Sequence, residues 1–202
     1  MNYGFCLGSN TNHALATKMT TNSNNNNYDQ PRWFVMRAYK CESKAEERLS
    51  GKGGLRHFIP KEYAIRTYHG AKSRRLVPVI PSLVFVRASR REIITFKKDN
   101  NFLQYVMCKD GDGSNFMVVP DNQMENFIKV ASHPEETLRY LKPEEIDISK
   151  GTRVKIIGGV FDGVEGIFMK TEGARDRRVV VKLEGVLAVA AKVHPDFIEV
   201  LP

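Results

Sequence analysis

From residue 153 onward the chain offers only short β-type runs: Arg153–Ile157, Val164–Lys170, Arg178–Leu183, Leu187–Val193 and Phe197–Leu201, separated by glycine and polar residues. Five short strands with tight turns in about 54 residues lead us to expect a small β-barrel. A unit of that size is marginally stable, so its turns have to be tight. The sharpest local pattern opens it, Gly151-x-Arg153-Val154-Lys155-Ile156-Ile157-Gly158-Gly159-Val160-Phe161-Asp162-Gly163-Val164-Glu165-Gly166-Ile167. Val154 and Ile156 alternate inward, and Gly158 and Gly163 allow the left-handed backbone of a tight turn. Phe161 then folds back over the small core, and Gly166 lets the next strand approach closely.

Upstream the texture differs. Residues 1–30 contain Asn2, Asn10, Asn12, Asn22 and the run Asn24 to Asn27, with few large apolar side chains. Such a segment buries too little surface to offset its ordering entropy, so a disordered tail is expected. Trp33-Phe34-Val35-Met36 reads as a buried strand. In the helical stretch that follows, Cys41, Ala45 and Leu49 share one stripe. Short strands are expected at His57–Pro60 and Tyr63–Ile65, and then a polar, basic hairpin from Arg66 to Arg75 with Gly70 at its tip. Leu76–Val86 is strand-like but holds Pro78 and Pro81, so it should lie at an edge or begin after Pro81. Arg90–Lys98 reads as a short helix. Tyr105–Cys108 and Phe116–Val119 read as strands about the turn Asp110–Gly113. After Pro120 comes a helix that Asp121 or Asn122 can cap, with Met124, Phe127 and Ile128 on one face. Strands interleaved with about three helices make this part α+β. Pro134–Ser149 mixes proline with charge and reads as a linker, giving a tail over 1–30, a first domain over 31–133, a linker over 134–148 and a second domain over 149–202.

The formal charge of +8 is unevenly placed. Residues 31–142 carry 21 basic and 12 acidic side chains, while residues 143–202 carry 9 basic and 10 acidic ones. The whole excess belongs to the first domain, which points to a polyanion-facing half. Lys61, Arg66, Lys72, Arg74 and Arg75 stand against Glu62 alone. A second cluster holds Arg87, Arg90, Arg91, Lys97 and Lys98 against Glu92 and Asp99. The chemistry such runs offer is phosphate contact, sensitive to salt and largely indifferent to sequence.

No stretch reaches the roughly 20 apolar residues that span a bilayer, and the first thirty residues lack a basic cluster followed by an apolar core, so neither membrane insertion nor a secretory signal is expected. Cys6, Cys41 and Cys108 fit no disulfide framework and no CxxC spacing, as expected in a reducing cytosol. His13, His57, His69, His133 and His194 show no metal spacing. Glu42, Glu46 and Glu47 read as solvent-facing, or paired with Arg48 and Lys44. Neither glycine-rich stretch fits GxGxxG or GxxxxGK[ST], and no GxSxG occurs. No cofactor, no metal and no enzymatic activity are expected.

The pattern around Gly158 and Gly163 resembles the KOW motif. Trp33-Phe34-Val35-x-Arg37 with Glu42-x-Lys44-x-Glu46-x-x-Leu49 resembles the opening of a NusG N-terminal (NGN) domain. Pro78-Val79-Ile80-Pro81-Ser82-Leu83-Val84-Phe85-Val86 looks like that family's proline-rich strand, and Val119-Pro120-Asp121-x-x-Met124-Glu125-x-Phe127 like its closing helix. The resemblance covers residues 33–202 in the family's order. It implies an NGN-like α/β sandwich with an antiparallel sheet, followed by a five-stranded KOW barrel.

It also implies a transcription elongation factor that docks on the clamp helices of the largest RNA polymerase subunit and suppresses pausing. Trp33, Ile80, Pro81, Leu83 and Phe85 would form or support the docking surface. Ile80 and Leu83 stand where the family has aromatics, and Ser82 where it has glycine. Lys72, Arg74 and Arg75, with His69, would touch upstream or non-template DNA. Leu183-Glu184-Gly185-Val186 places a charge where housekeeping members present the aromatic loop that binds the termination factor Rho or a ribosomal protein. That difference, the Asn-rich tail and the variant proline-rich strand make the chain most similar to UpxY-type operon-specific antiterminators. A monomer in the cytoplasm, held at the nucleoid through polymerase, is expected. The alternatives are the general factor that couples polymerase to Rho or the ribosome, and an RNA-binding or ribosome-associated module working through the KOW barrel.

Overall fold

The structure, a computed structural model, describes residues 30–51, 54–110, 113–146, 151–171 and 176–202. Apart from Gln30, the tail expected over 1–30 lies outside the described residues. β1 (Arg32–Ala38) is apolar from Trp33 to Met36, where both of its faces are covered. Trp33 and Val35 enter one apolar cluster, while Phe34, Met36 and Ala38 enter another. β5 (Leu83–Ala88) pairs antiparallel with β1 and divides its side chains the same way, Leu83 and Phe85 against Val84, Val86 and Ala88. β2 (Arg56–Phe58) flanks β5 and β6 (Leu103–Tyr105) flanks β1, giving the order β2-β5-β1-β6. The prolines fall outside this sheet: β5 begins after Pro81 and lies between β2 and β1.

α1 (Glu42–Ser50) and α2 (Arg90–Asp99) cover one face through Ala45, Leu49 and Ile93. A capping box starts α2: the Ser89 hydroxyl accepts from the Glu92 N–H, and the Glu92 carboxylate accepts from the Ser89 N–H at 2.7 Å. β3 (Lys61–Tyr68) and β4 (Ala71–Pro78) pair only with each other. His69 and Gly70 close this ribbon with φ of 47° and 80°, the left-handed pair that a two-residue hairpin turn needs.

The two strands expected at Tyr105–Cys108 and Phe116–Val119 each break. β6 is followed by β7 (Met107–Asp110), then β8 (Gly113–Phe116) and β9 (Val118–Val119). At the break the Val106 N–H donates to the Val35 carbonyl and the Met117 N–H to the Val106 carbonyl, so β7 and β8 leave the sheet as a separate hairpin. α3 (Asp121–Ala131) also differs from expectation, because its N-cap position is Pro120 and no side chain caps it. The Asp121 carboxylate is taken instead by Arg87, and Asn122 Oδ1 accepts from the Gln123 N–H.

The remaining strands are β10 (Leu138–Leu141), β11 (Thr152–Ile156), β12 (Glu165–Lys170), β13 (Arg177–Leu183), β14 (Leu187–Ala191) and β15 (Ile198–Val200), in the order β10-β14-β13-β12-β11-β15. Two differences stand out. The segment read as a linker supplies β10, which pairs with β14 from Leu138 opposite Ala191 to Leu141 opposite Ala188. And the sheet ends at β10 and β15 among the described residues, so the expected closed five-stranded barrel is not found. Its apolar face is covered from outside: one cluster runs from Trp33 and Phe85 through Met124 and Phe127 of α3 to Val179, Val181 and Val189. α3 is thus a shared layer between two antiparallel sheets, and the fold is mixed α+β.

Candidate functional site

The β3–β4 ribbon carries the cationic residues singled out in the sequence. Its register sorts them by face, since side chains alternate along a strand. Tyr63 lies opposite Leu76, Ile65 opposite Arg74 and Thr67 opposite Lys72 on one face. Ala64 opposite Arg75 and Arg66 opposite Ser73 lie on the other. Lys72, Arg74 and Arg75 are all exposed, but they do not form one patch. The Arg74 guanidinium sits 4.0 Å from the centroid of the Tyr63 ring, a cation–π contact. Arg75 Nε donates to the Ser73 hydroxyl at 3.1 Å. Lys61, at the base of the ribbon, is neutralised by Glu46 at 2.8 Å. His69, at the tip, is exposed and held in a left-handed backbone.

The second basic cluster is more fully engaged. Arg87 binds Asp121 at 3.1 Å, and that hydrogen bond raises the Arg87 pKa above its ordinary value. Lys97 lies 5.7 Å from the Tyr105 ring centroid and Arg90 lies 4.9 Å from that of Phe116, with those two rings stacked on each other. These contacts fasten α2 to the β7–β8 hairpin. The acids also differ from expectation. Glu42 is not simply solvent-facing, because it accepts from the Ser82 N–H at 2.6 Å, while Glu46 pairs with Lys61.

The docking surface expected from Trp33, Ile80, Pro81, Leu83 and Phe85 needs correction. Trp33 and Phe85 are completely buried and Leu83 is 5% exposed, because β1 and β5 are covered on both faces. They belong to the core. Pro81 is exposed and Ile80 is half-buried beside the same cluster, so these two are what a partner can reach. Between them and β5 stands Ser82, buried, with φ of 72°. Left-handed backbone suits glycine, and a serine held there is strained.

Gly158 and Gly163 have φ of 89° and 79° in the turn between β11 and β12, and Phe161 is buried beside the His133 ring. A Cβ on Gly166 would come within 2.8 Å of the Val180 carbonyl oxygen, so the close approach of β12 to β13 depends on the missing side chain. Glu184, in the turn between β13 and β14, donates its N–H to Gln123 of α3. With Asn126, which accepts from the Glu165 N–H, and Lys129, which donates to the Asp162 carbonyl, Gln123 forms a polar stripe along α3 that grips main-chain groups of the second sheet. Sequence reasoning missed this stripe, whose signal is the spacing 123, 126, 129 on the helix. It also missed the exposed apolar row of the ribbon, signalled by Tyr63 and Ile65 two apart on one strand. Among the described residues no group of His, Cys, Asp and Glu is placed to hold a metal ion. Among the described residues, too, no helix is long and apolar enough to cross a membrane.

Two antiparallel sheets about a shared helix, with a cationic ribbon projecting from the first, define an α+β architecture without a metal-ligating cluster among the described residues. Residues 31–128, from the start of the first sheet into α3, match the family model described as transcription termination factor nusG, so this segment is similar to that family. A solved structure described as concerning domain interaction in Thermotoga maritima NusG is similar at 20% identity, covering 84% of this chain and 97% of that one with a TM-score of 0.41. No curated protein matches the chain significantly.

Proposed function

We propose that this chain is a transcription elongation and antitermination factor that binds RNA polymerase and suppresses pausing or termination, as an operon-specific NusG paralogue. The observation that carries the reading is the match of residues 31–128 to the NusG family model. It is joined by the ribbon's net charge of +4 over Lys61–Arg75, suited to nucleic acid beside the polymerase. Polymerase contact falls on Ile80 and Pro81. Leu83 is packed in the cluster that continues through α3 into the second sheet, so a partner using Leu83 competes with that packing and binds more weakly in proportion to the fraction of open molecules. A factor that prefers one polymerase conformation shifts the population toward it, which needs no chemistry of its own. The exposed charged side chain of Glu184, where the resemblance implies an aromatic, favours the specialised reading over one that couples polymerase to Rho or the ribosome through this loop.

Capture of core RNA polymerase on the immobilised chain tests the proposal, with Ile80→Asp as the variant. Ile80 lies outside any strand and is half-buried, so the variant should fold. Loss of capture with retained circular dichroism supports docking at this ridge. Equal capture by the folded variant removes the docking assignment, and recovery of ribosomal subunits in place of polymerase removes the elongation reading altogether. Nascent-transcript sequencing in cells lacking the protein then shows whether pausing changes at one operon or at many.

A further inference from the structure

A cavity of about 350 Å³ lies between the base of the β3–β4 ribbon and β10 with the residues that lead into it. Tyr63 and Ile65 line it from the ribbon, and Leu138 and Tyr140 from β10. Leu138 and Tyr140 pack against the shared core, whereas Ile65 is 73% and Tyr63 45% exposed. Large apolar side chains left open beside a concave surface mark a place where a ligand can cover them. Three carboxylates, Glu62, Glu135 and Glu136, stand at the same cavity. Glu135 is bonded to His133 at 3.1 Å, but among the described residues no hydrogen bond or ion pair engages the carboxylate of Glu62 or Glu136. Two cations also line the cavity, and each is already engaged. Lys61 donates to the two carboxylate oxygens of Glu46 at 2.8 and 2.9 Å, and Arg74 lies against Tyr63. Glu62 alternates with Tyr63 along β3, yet its charge adds to the rise in the Tyr140 pKa and so is felt within the cleft.

We propose that this cavity binds a small organic cation with an apolar body, an alkyl or arylalkyl amine, whose ammonium group meets Glu62 and Glu136 while its hydrocarbon part packs on Ile65 and Leu138. Each feature of the lining excludes another class of ligand. Once Lys61 and Glu46 cancel, three carboxylates face the single cation Arg74, so an anion is repelled. A metal ion finds no ligand cluster among the described residues. A wholly polar cation gains nothing from Ile65 and Leu138, whereas an apolar body gains with each carbon it buries there. The volume suits a small ligand, for which sites run from roughly 300 to 1,000 Å³. The ribbon pairs with no other strand, and β10 belongs to the second sheet. A cation held by Glu62 and Glu136 therefore ties together two parts of the fold that share no strand pairing, and its binding stabilises the folded chain.

Isothermal titration calorimetry of the full chain with phenethylamine tests the inference. Two companions are titrated beside it: 3-phenylpropionate, which keeps the ring and reverses the charge, and ethylamine, which keeps the charge and lacks the ring. Phenethylamine should bind about tenfold more tightly than either. The Glu62→Gln/Glu136→Gln double variant, altered only at exposed positions, should weaken that binding about tenfold. Ile65→Ser, also at an exposed position, should weaken it about threefold. Glu199→Gln makes the same charge change on β15, at the opposite end of the second sheet from β10, and should alter affinity less than about twofold. Equal binding of 3-phenylpropionate would overturn the inference by leaving apolar contact alone, and equal binding of ethylamine would do so by leaving charge attraction alone. Undiminished binding by the double variant and by Ile65→Ser would put the amine elsewhere, and no binding of phenethylamine would end the assignment outright. Ile80 and Pro81 do not line this cavity, so polymerase capture is expected with or without the amine.

Discussion

The ring of Phe127 on α3 lies 6.5 Å from that of Tyr140 on β10, and it also meets Phe58 and Phe85 of the first sheet at 6.3 Å. One fully buried side chain thus touches both sheets. Phe127→Ala should cost about 3–5 kcal/mol, as deletion of a buried ring usually does. Because the ring is shared, urea unfolding followed by Trp33 fluorescence and by far-ultraviolet circular dichroism should shift together. Separate transitions, with only one half affected, would refute the shared core.

Tyr140 itself carries a hydroxyl with no hydrogen-bond partner among the described residues. Burial, with a smaller contribution from Glu62, pushes its pKa up to about 12. The unfolded phenol ionises near 10, so between about pH 10 and 12 the unfolded chain loses its proton first and stability falls as pH rises. Tyr140→Phe removes both the uncompensated hydroxyl and this ionisation. It should leave stability at neutral pH unchanged or raised by up to about 1 kcal/mol, and flatten the alkaline decline. Chemical denaturation at neutral and alkaline pH measures both effects.

Ser82 combines burial with a φ of 72°. Its main chain is fully used: the N–H donates to Glu42 and the carbonyl accepts from the Ala38 N–H at 2.7 Å. Ser82→Gly keeps both bonds and relieves a left-handed strain of about 1 kcal/mol, against a similar gain in unfolded-state entropy. The melting temperature should stay within a few degrees. Ser82→Val, a β-branched residue in the same backbone, should lower stability by about 2 kcal/mol or more.

Glu92 closes the capping box of α2, and its bond from the Ser89 N–H holds its pKa below the ordinary carboxylate value. A carboxylate depressed on folding stabilises the protein above its unfolded pKa, and that contribution disappears as pH falls through the folded value. Acid unfolding should therefore lose a component in Glu92→Gln, which responds less to pH below about 4. Ser89→Ala should cost about 1 kcal/mol at neutral pH, seen as a lower urea midpoint.

Much of this architecture is local and therefore legible in the sequence. The continuous apolar run at Trp33–Met36 requires a strand covered on both faces, and Gly70 marks a hairpin tip because its neighbours demand a left-handed turn. The short runs after Arg153 can only be strands, and the concentration of charge in Lys61–Arg75 needs no coordinates to be seen. What escaped is non-local. Whether Leu83 meets a partner or the core depends on what packs over β5. Whether Leu138–Leu141 is tether or strand depends on the vacant edge of β14. Whether Arg74 and Arg75 act together depends on a register that puts them on opposite faces. Strand pairing and layer packing join residues far apart in the chain, so their free energy belongs to the assembled contacts and to no segment alone.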